Sequence, residues 1–152
     1  MAREIERSTW RTQAWKNGLG VTHEIWREPD TEDFAVRVSL AEVTASGPFS
    51  QFPGYHRWTF FVGPASIKLG EVTLDEPGHH IWSPGTAPIH AELRGGPTRL
   101  LNVLARSDLI ADYGETTSAV RFRFEVAQQR AWLYEPALVC DTAGCVWVAA
   151  KG

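Results

Sequence analysis

The sequence is poor in cysteine. Cys140 and Cys145 are the only two among 152 residues, which excludes a disulfide framework. They flank Asp141-Thr142-Ala143-Gly144, where a hairpin would set them face to face. Two free thiols are expected in a chain with no export signal. Met1 to Trp15 is polar and charged, without the apolar stretch of a secretory signal, so a cytoplasmic location is expected. No run of about 18 apolar residues occurs, so no membrane helix and no membrane partner are expected. Basic charge is not in excess: 15 basic against 18 acidic residues leave −3. A chain without a basic field has nothing to hold phosphates, and no nucleic-acid partner is expected. Lysine is scarce as well, since only Lys16, Lys68 and Lys151 accompany 12 arginines. Arginine is a planar fork that grips carboxylates with two bonds or stacks on aromatic rings.

What is present is turn chemistry and alternation. Thirteen glycines, nine prolines and seven tryptophans are spread through a chain that is 43% hydrophobic, composition suited to a folded core. Gly47-Pro48, Pro53-Gly54, Gly63-Pro64, Pro77-Gly78, Pro84-Gly85 and Gly95-Gly96 punctuate it. Turns spaced roughly 8 to 12 residues apart mark a β-sandwich or barrel. Phe34, Val36, Val38 and Leu40 alternate with Arg37 and Ser39, so the two sets face opposite sides of a strand. Arg57 to Val62 reads as a second strand, with Arg57, Thr59 and Phe61 on one face. Short strands are expected on either side of Gly70, and another at Ile89 to Leu93. Arg99 to Ala105 is a buried strand interrupted by Asn102, and Val120 to Val126 alternates again. Trp132 to Tyr134, Ala137 to Cys140 and Cys145 to Ala149 are the last strands expected, and Ser107 to Tyr113 is read as a short helical turn. No repeat or linker divides residues 1–152, which are read as a single domain.

Two connectors stand out. In Trp15-Lys16-Asn17-Gly18-Leu19-Gly20-Val21-Thr22-His23-Glu24-Ile25, paired glycines permit positive φ and close backbone approach. Without a preceding strand, a third glycine or a following helix it is no dinucleotide fingerprint. On physics alone Trp15 is a core plug and Asn17-Gly18 a tight turn; the functional alternative presents Asn17, Thr22 and Glu24 to a pocket. Gly47 to Arg57 packs prolines, glycines and the aromatics Phe49, Phe52 and Tyr55 into a stiff loop suited to a barrel mouth.

These segments, with Arg37-Val38-Ser39 before Ala41 and with Gly95-Gly96-Pro97 before Leu101-Asn102-Val103, occur in a fixed order from Trp10 to Arg106. In that order they resemble the HutD/Ves family. The resemblance implies an all-β, cupin-like double-stranded β-helix barrel, of the RmlC-like, bicupin type. It implies a link to histidine utilisation, and a small carboxylate metabolite such as a formylglutamate- or urocanate-like acid as the partner. The chain is shorter than typical members, so a trimmed second barrel is expected. Leu100 or Leu101 stands where the family pattern has an acidic residue before the Asn-Val step.

The residues and the resemblance lead to one expectation: metal-free, non-catalytic binding of that acid, in a regulatory or protective role. A buried arginine needs a carboxylate, from the chain or from a ligand. Arg57 and Arg37 are assigned to carboxylate pairing, Asn17, Ser39 and Asn102 to orientation, and Trp15, Phe49 and Phe52 to the walls. Thr22, Glu24 and His56 are second choices. His23, His56, His79, His80 and His90 include no His-x-His pair, and the adjacent His79 and His80 are read as loop residues, so no metal and no cofactor are expected. The competing reading is a cupin enzyme acting on a similar acid, metal-dependent or hydrolytic, with Ser50 and His56 meeting across their loop. No feature of the sequence sets the oligomeric state.

Overall fold

Alternating apolar residues between glycine and proline turns give strands nearly throughout. The computed structural model describes every residue except Ser107. In chain order the strands are β1 (Ala2–Ile5), β2 (Arg11–Ala14), β3 (Gly20–Glu28), β4 (Val36–Val43), β5 (Gly47–Pro48), β6 (His56–Pro64), β7 (Ile67–Leu69) and β8 (Val72–Leu74). They continue with β9 (His80–Pro84), β10 (His90–Leu93), β11 (Thr98–Ala105), β12 (Leu109–Tyr113), β13 (Val120–Glu125), β14 (Arg130–Leu138) and β15 (Cys145–Ala150). One 3-10 turn, Arg7–Thr9, joins β1 to β2.

The strands form three antiparallel sheets. The six-stranded sheet has the order β2-β3-β4-β11-β6-β9, the five-stranded sheet β1-β14-β13-β15-β12, and the four-stranded sheet β5-β10-β7-β8. The six-stranded sheet is apolar on both faces at different residues, and each face has its own partner. Val36, Val38, Leu40, Phe60, Leu101 and Val103 pack against Phe122, Phe124, Leu133 and Val148 of the five-stranded sheet. Val43, Phe61 and Leu100, one step out of phase, pack against Ile67, Leu69 and Ala91 of the four-stranded sheet. Burying each such large side chain contributes about 1.5–3 kcal/mol.

A bulge in β3 lies between Glu24 and Trp26. It sends both Ile25 and Trp26 into the core with the five-stranded sheet. Glu24 and Arg27 thereby share the other face, opposite Ser39 and Arg37 of β4.

Several expectations need correction. Leu109–Tyr113 is a strand, not a helical turn, because Leu109 and Ala111 alternate into the core beside β15; Ser107 lies outside the described residues. The two stretches around Tyr134 and Ala137 are one strand, β14, which runs through Pro136. His80 starts β9 rather than sitting in a loop. Cys140 and Cys145 are free and do not face each other across a hairpin, because β13 lies between β14 and β15.

Candidate ligand-binding site

The face of the six-stranded sheet that turns away from the five-stranded sheet carries polar residues in cross-strand rows. Glu24, Ser39, Asn102 and Thr59 are successive neighbours across β3, β4, β11 and β6. One row along lie Arg27, Arg37, Leu104, Arg57 and Ser83. Above these rows opens a cavity of about 530 Å³.

Arg57, Arg37, Ser39 and Asn102 form part of its sheet-borne lining. Trp15, Asn17 and Thr22 close one side, and Phe49 and Phe52 another. Gln13, Lys16 and Leu104, which the sequence did not mark as site residues, line it too, as does Ser50, marked there only as a candidate for the hydrolytic alternative. Lys16 and Ser50 sit inside the two connectors already noted; alternation with Asn102 was the available signal for Leu104.

Arg57 is 8% exposed. Its Nη1 donates to the Ser50 carbonyl at 2.8 Å and its Nε to Asn102 Oδ1 at 3.4 Å. The guanidinium carbon lies 5.1 Å from the Phe49 ring centroid and 5.5 Å from that of Phe52. No carboxylate pairs with it among the described residues. Burial, with the nearby charge of Arg37 adding, pushes its pKa down to about 10. It remains a cation at neutral pH, desolvated and held only by neutral partners.

Arg37 differs. Its Nε donates to Glu24 Oε1 at 2.7 Å, and Glu24 is also 3.3 Å from Arg27 and 3.5 Å from Arg11. Glu24 therefore does not line the cavity; it lies buried beside it and neutralises Arg37. His56 does not line the cavity either. Next to Arg57 on the strand, it points to the opposite face, against Trp58 and Trp82. No Ser50–His56 hydrogen bond is found among the described residues.

Asn102 is fixed by accepting, at Oδ1, the Thr59 hydroxyl at 2.9 Å as well as Arg57. Its amide nitrogen, like the Ser39 hydroxyl, has no partner among the described residues, and both residues line the cavity. Trp15 is held by donating Nε1–H to Thr22 Oγ1 at 2.7 Å and packs edge-on to Phe49. Asn17 turns its own loop, accepting from the Leu19 amide at 3.0 Å. Both readings of this segment therefore describe part of it: Trp15 packs against the core and lines the cavity, and Asn17 makes the turn and borders the cavity.

The Gly47–Arg57 loop is pinned from below. The Phe52 amide donates to the Gly85 carbonyl, and the Gly85 amide to the Tyr55 carbonyl, both at 2.7 Å. A side chain on Gly85 would place its Cβ 1.9 Å from the Phe52 carbonyl oxygen.

The lining is a set of donors: a guanidinium without a carboxylate, an amide, a hydroxyl and the Lys16 ammonium. It includes no histidine, cysteine or carboxylate, so it suits an anion and not a metal cation. The one group of three closely spaced metal-type side chains among the described residues is Asp75, Glu76 and His79, in the connection between β8 and β9 and outside this lining.

The three-sheet arrangement is an all-β, cupin-like fold, with the cavity over the six-stranded sheet, enclosed by the segment around Trp15 to Thr22 and by the loop that carries Phe49 and Phe52. A profile of the HutD family matches residues 7–141, and the chain belongs to that family. Protein Ves of Cronobacter sakazakii is 30% identical over 149 residues, covering 88% of this chain and 80% of that protein. HutD from Pseudomonas fluorescens SBW25, in a formate condition, superposes with a TM-score of 0.75 over 100% of both chains at 23% identity. A conserved protein of unknown function from Pseudomonas aeruginosa PAO1 gives 0.74 at 19% identity, over 97% of this chain and 96% of that one. At these identities the structural likeness is one of fold. Since the superposition with HutD spans both chains entirely, the shortening expected from the sequence is not seen against that protein.

Proposed function

We propose that this protein binds a small carboxylate metabolite in the 530 Å³ cavity, without a metal and without transforming it. The observation that carries the reading is Arg57: a buried guanidinium, flanked by two phenyl rings, whose hydrogen-bond partners among the described residues are a backbone carbonyl and an amide oxygen. A desolvated charge without a counter-ion is unfavourable, and a ligand carboxylate removes that penalty by accepting from the guanidinium. Asn102 and Ser39 supply neutral donors beside it, and Trp15, Phe49 and Phe52 enclose the rest of the molecule.

The link between the resembled family and histidine breakdown narrows the acid to one of formylglutamate or urocanate type. The protein then acts as a receptor or buffer of that acid in the cytoplasm, with no role for nucleic acid or membrane.

The test is thermal unfolding with N-formylglutamate or urocanate in excess. Binding to the native state alone raises Tm, by an amount equivalent to about 2.7 kcal/mol at one hundred times Kd. Arg57→Ala should abolish the rise. Unchanged Tm with both acids, or a rise that survives Arg57→Ala, overturns the proposal.

A further inference from the structure

The motif Gly95 to Val103 serves the carboxylate cavity only through Asn102. Arg99, an odd number of residues away on the same strand, faces the other side of the six-stranded sheet. There it borders a second cavity of about 650 Å³. Its floor is the cross-strand row Val21, Glu42, Arg99 and Gly63. The turn between β13 and β14, with Ala127 and Gln129, lies over it.

The charges in this cavity cancel one another. Glu42 Oε1 accepts from Arg99 Nε at 3.2 Å and Nη2 at 3.0 Å, and Oε2 meets His23 Nε2 at 2.6 Å. Arg99 Nη1 donates to Gln129 Oε1 at 2.6 Å. That last bond uses the carbonyl end of the Gln129 side chain. Its amide nitrogen has no partner among the described residues.

Gln129 is also the one described non-glycine residue with a left-handed backbone, at φ 54°. Glycine or asparagine normally fills such a turn position. Here a long amide side chain occupies it, and Arg99 orients that side chain. The remaining wall is chiefly apolar, with Val62, Pro64, Pro97 and Tyr113.

We propose that this cavity is a second small-molecule site, taking an uncharged ligand with an apolar body and one carbonyl or hydroxyl acceptor for the Gln129 amide. A charged ligand is disfavoured: it must shed its water and finds every countercharge already engaged. The volume falls within the range of small-molecule pockets, and the site lies across the sheet from Arg57, so the inference stands apart from the carboxylate reading.

Benzamide, a neutral ring with one carbonyl, is the probe. The full chain, labelled with nitrogen-15, is titrated while its backbone amide resonances are followed. Saturable shifts are expected at Arg99, Gly63, Gln129 and Gly144. Ala127→Trp, a substitution at an exposed residue on the rim, should block them. Gln129→Gly relieves the backbone strain and should fold at least as well, yet weaken binding roughly fivefold through the lost hydrogen bond. Benzoate should shift these residues at least about tenfold more weakly, whatever it does near Arg57. Shifts that do not saturate, that centre elsewhere, that survive Ala127→Trp, or that benzoate matches overturn the proposal.

Discussion

At the scale of single residues, the site separates two arginines that look alike in sequence. Arg37 is paired with Glu24, so its charge is satisfied before any ligand arrives. Arg57 has no such partner, and burial lowers its pKa to about 10. Replacing it by a methionine of similar length removes a desolvated charge from the unliganded protein. Arg57→Met is therefore expected to keep or raise Tm without ligand, by an amount equivalent to about 1 kcal/mol or roughly 2–4 °C, while abolishing the response to acids. A substantial fall in Tm would mean that the Ser50 carbonyl depends on this arginine more than the charge penalty implies. Gly20 is a second instructive residue. A Cβ there would lie 2.4 Å from the Glu42 carbonyl oxygen, so the glycine is needed for close approach, while Gly18, at φ 74°, is needed for its turn. The paired glycines were legible in the sequence; which one did which was not.

At the scale of elements, alternation predicted the faces of β4, β6 and β11 at the site because the strands pair regularly there; the register shift between β6 and β11 lies beyond it, at Arg99 and Leu100. Arg37, Ser39, Arg57 and Asn102 follow from it. His56, kept as a second choice, fails by the same alternation: its neighbour Arg57 occupies the inward side. What alternation could not supply is the bulge in β3, which shifts the phase and brings Glu24 onto the same face as Arg27. Nor could it supply β13 lying between β14 and β15, a matter of which strands pair. The ties between elements are partly ionic. Arg99 of β11 and His23 of β3 both bind Glu42 of β4 and lower its pKa, the His23 hydrogen bond first. A carboxylate with a lowered folded pKa adds stability above its ordinary value of 4.5 and loses it as acid protonates the folded state. Glu42→Gln is accordingly expected to cost about 1 kcal/mol at neutral pH, given its partial exposure. Urea unfolding at a series of pH values should show the two chains converging in acid; a constant gap would assign the loss to packing.

At the scale of the whole molecule, one sheet is shared by two cores. Trp26 is a main link to the five-stranded sheet, stacked on Phe122 with centroids 5.4 Å apart and rings 3° from parallel. Trp26→Ala is expected to lower stability by about 3–5 kcal/mol. Because the six-stranded sheet belongs to both cores, tryptophan fluorescence and far-ultraviolet circular dichroism should still report one coincident transition. Two separated transitions would show that the five-stranded sheet unfolds alone.

The sequence by itself determined the faces of the strands that line the site, β4, β6 and β11, because side-chain direction alternates locally, and it pointed to the family through motifs in a fixed order. It also marked Trp15, Phe49 and Phe52, since stiff aromatic connectors are visible in composition. Only the tertiary structure decided which polar faces converge. Strand pairing over long separations set Asn102 between Ser39 and Thr59, and a register shift of one residue decided that Glu24 would neutralise Arg37. The scarcity of lysine and the abundance of arginine did not by themselves mark a site. Arg57 is distinguished by what the fold withholds from it: water, and a carboxylate.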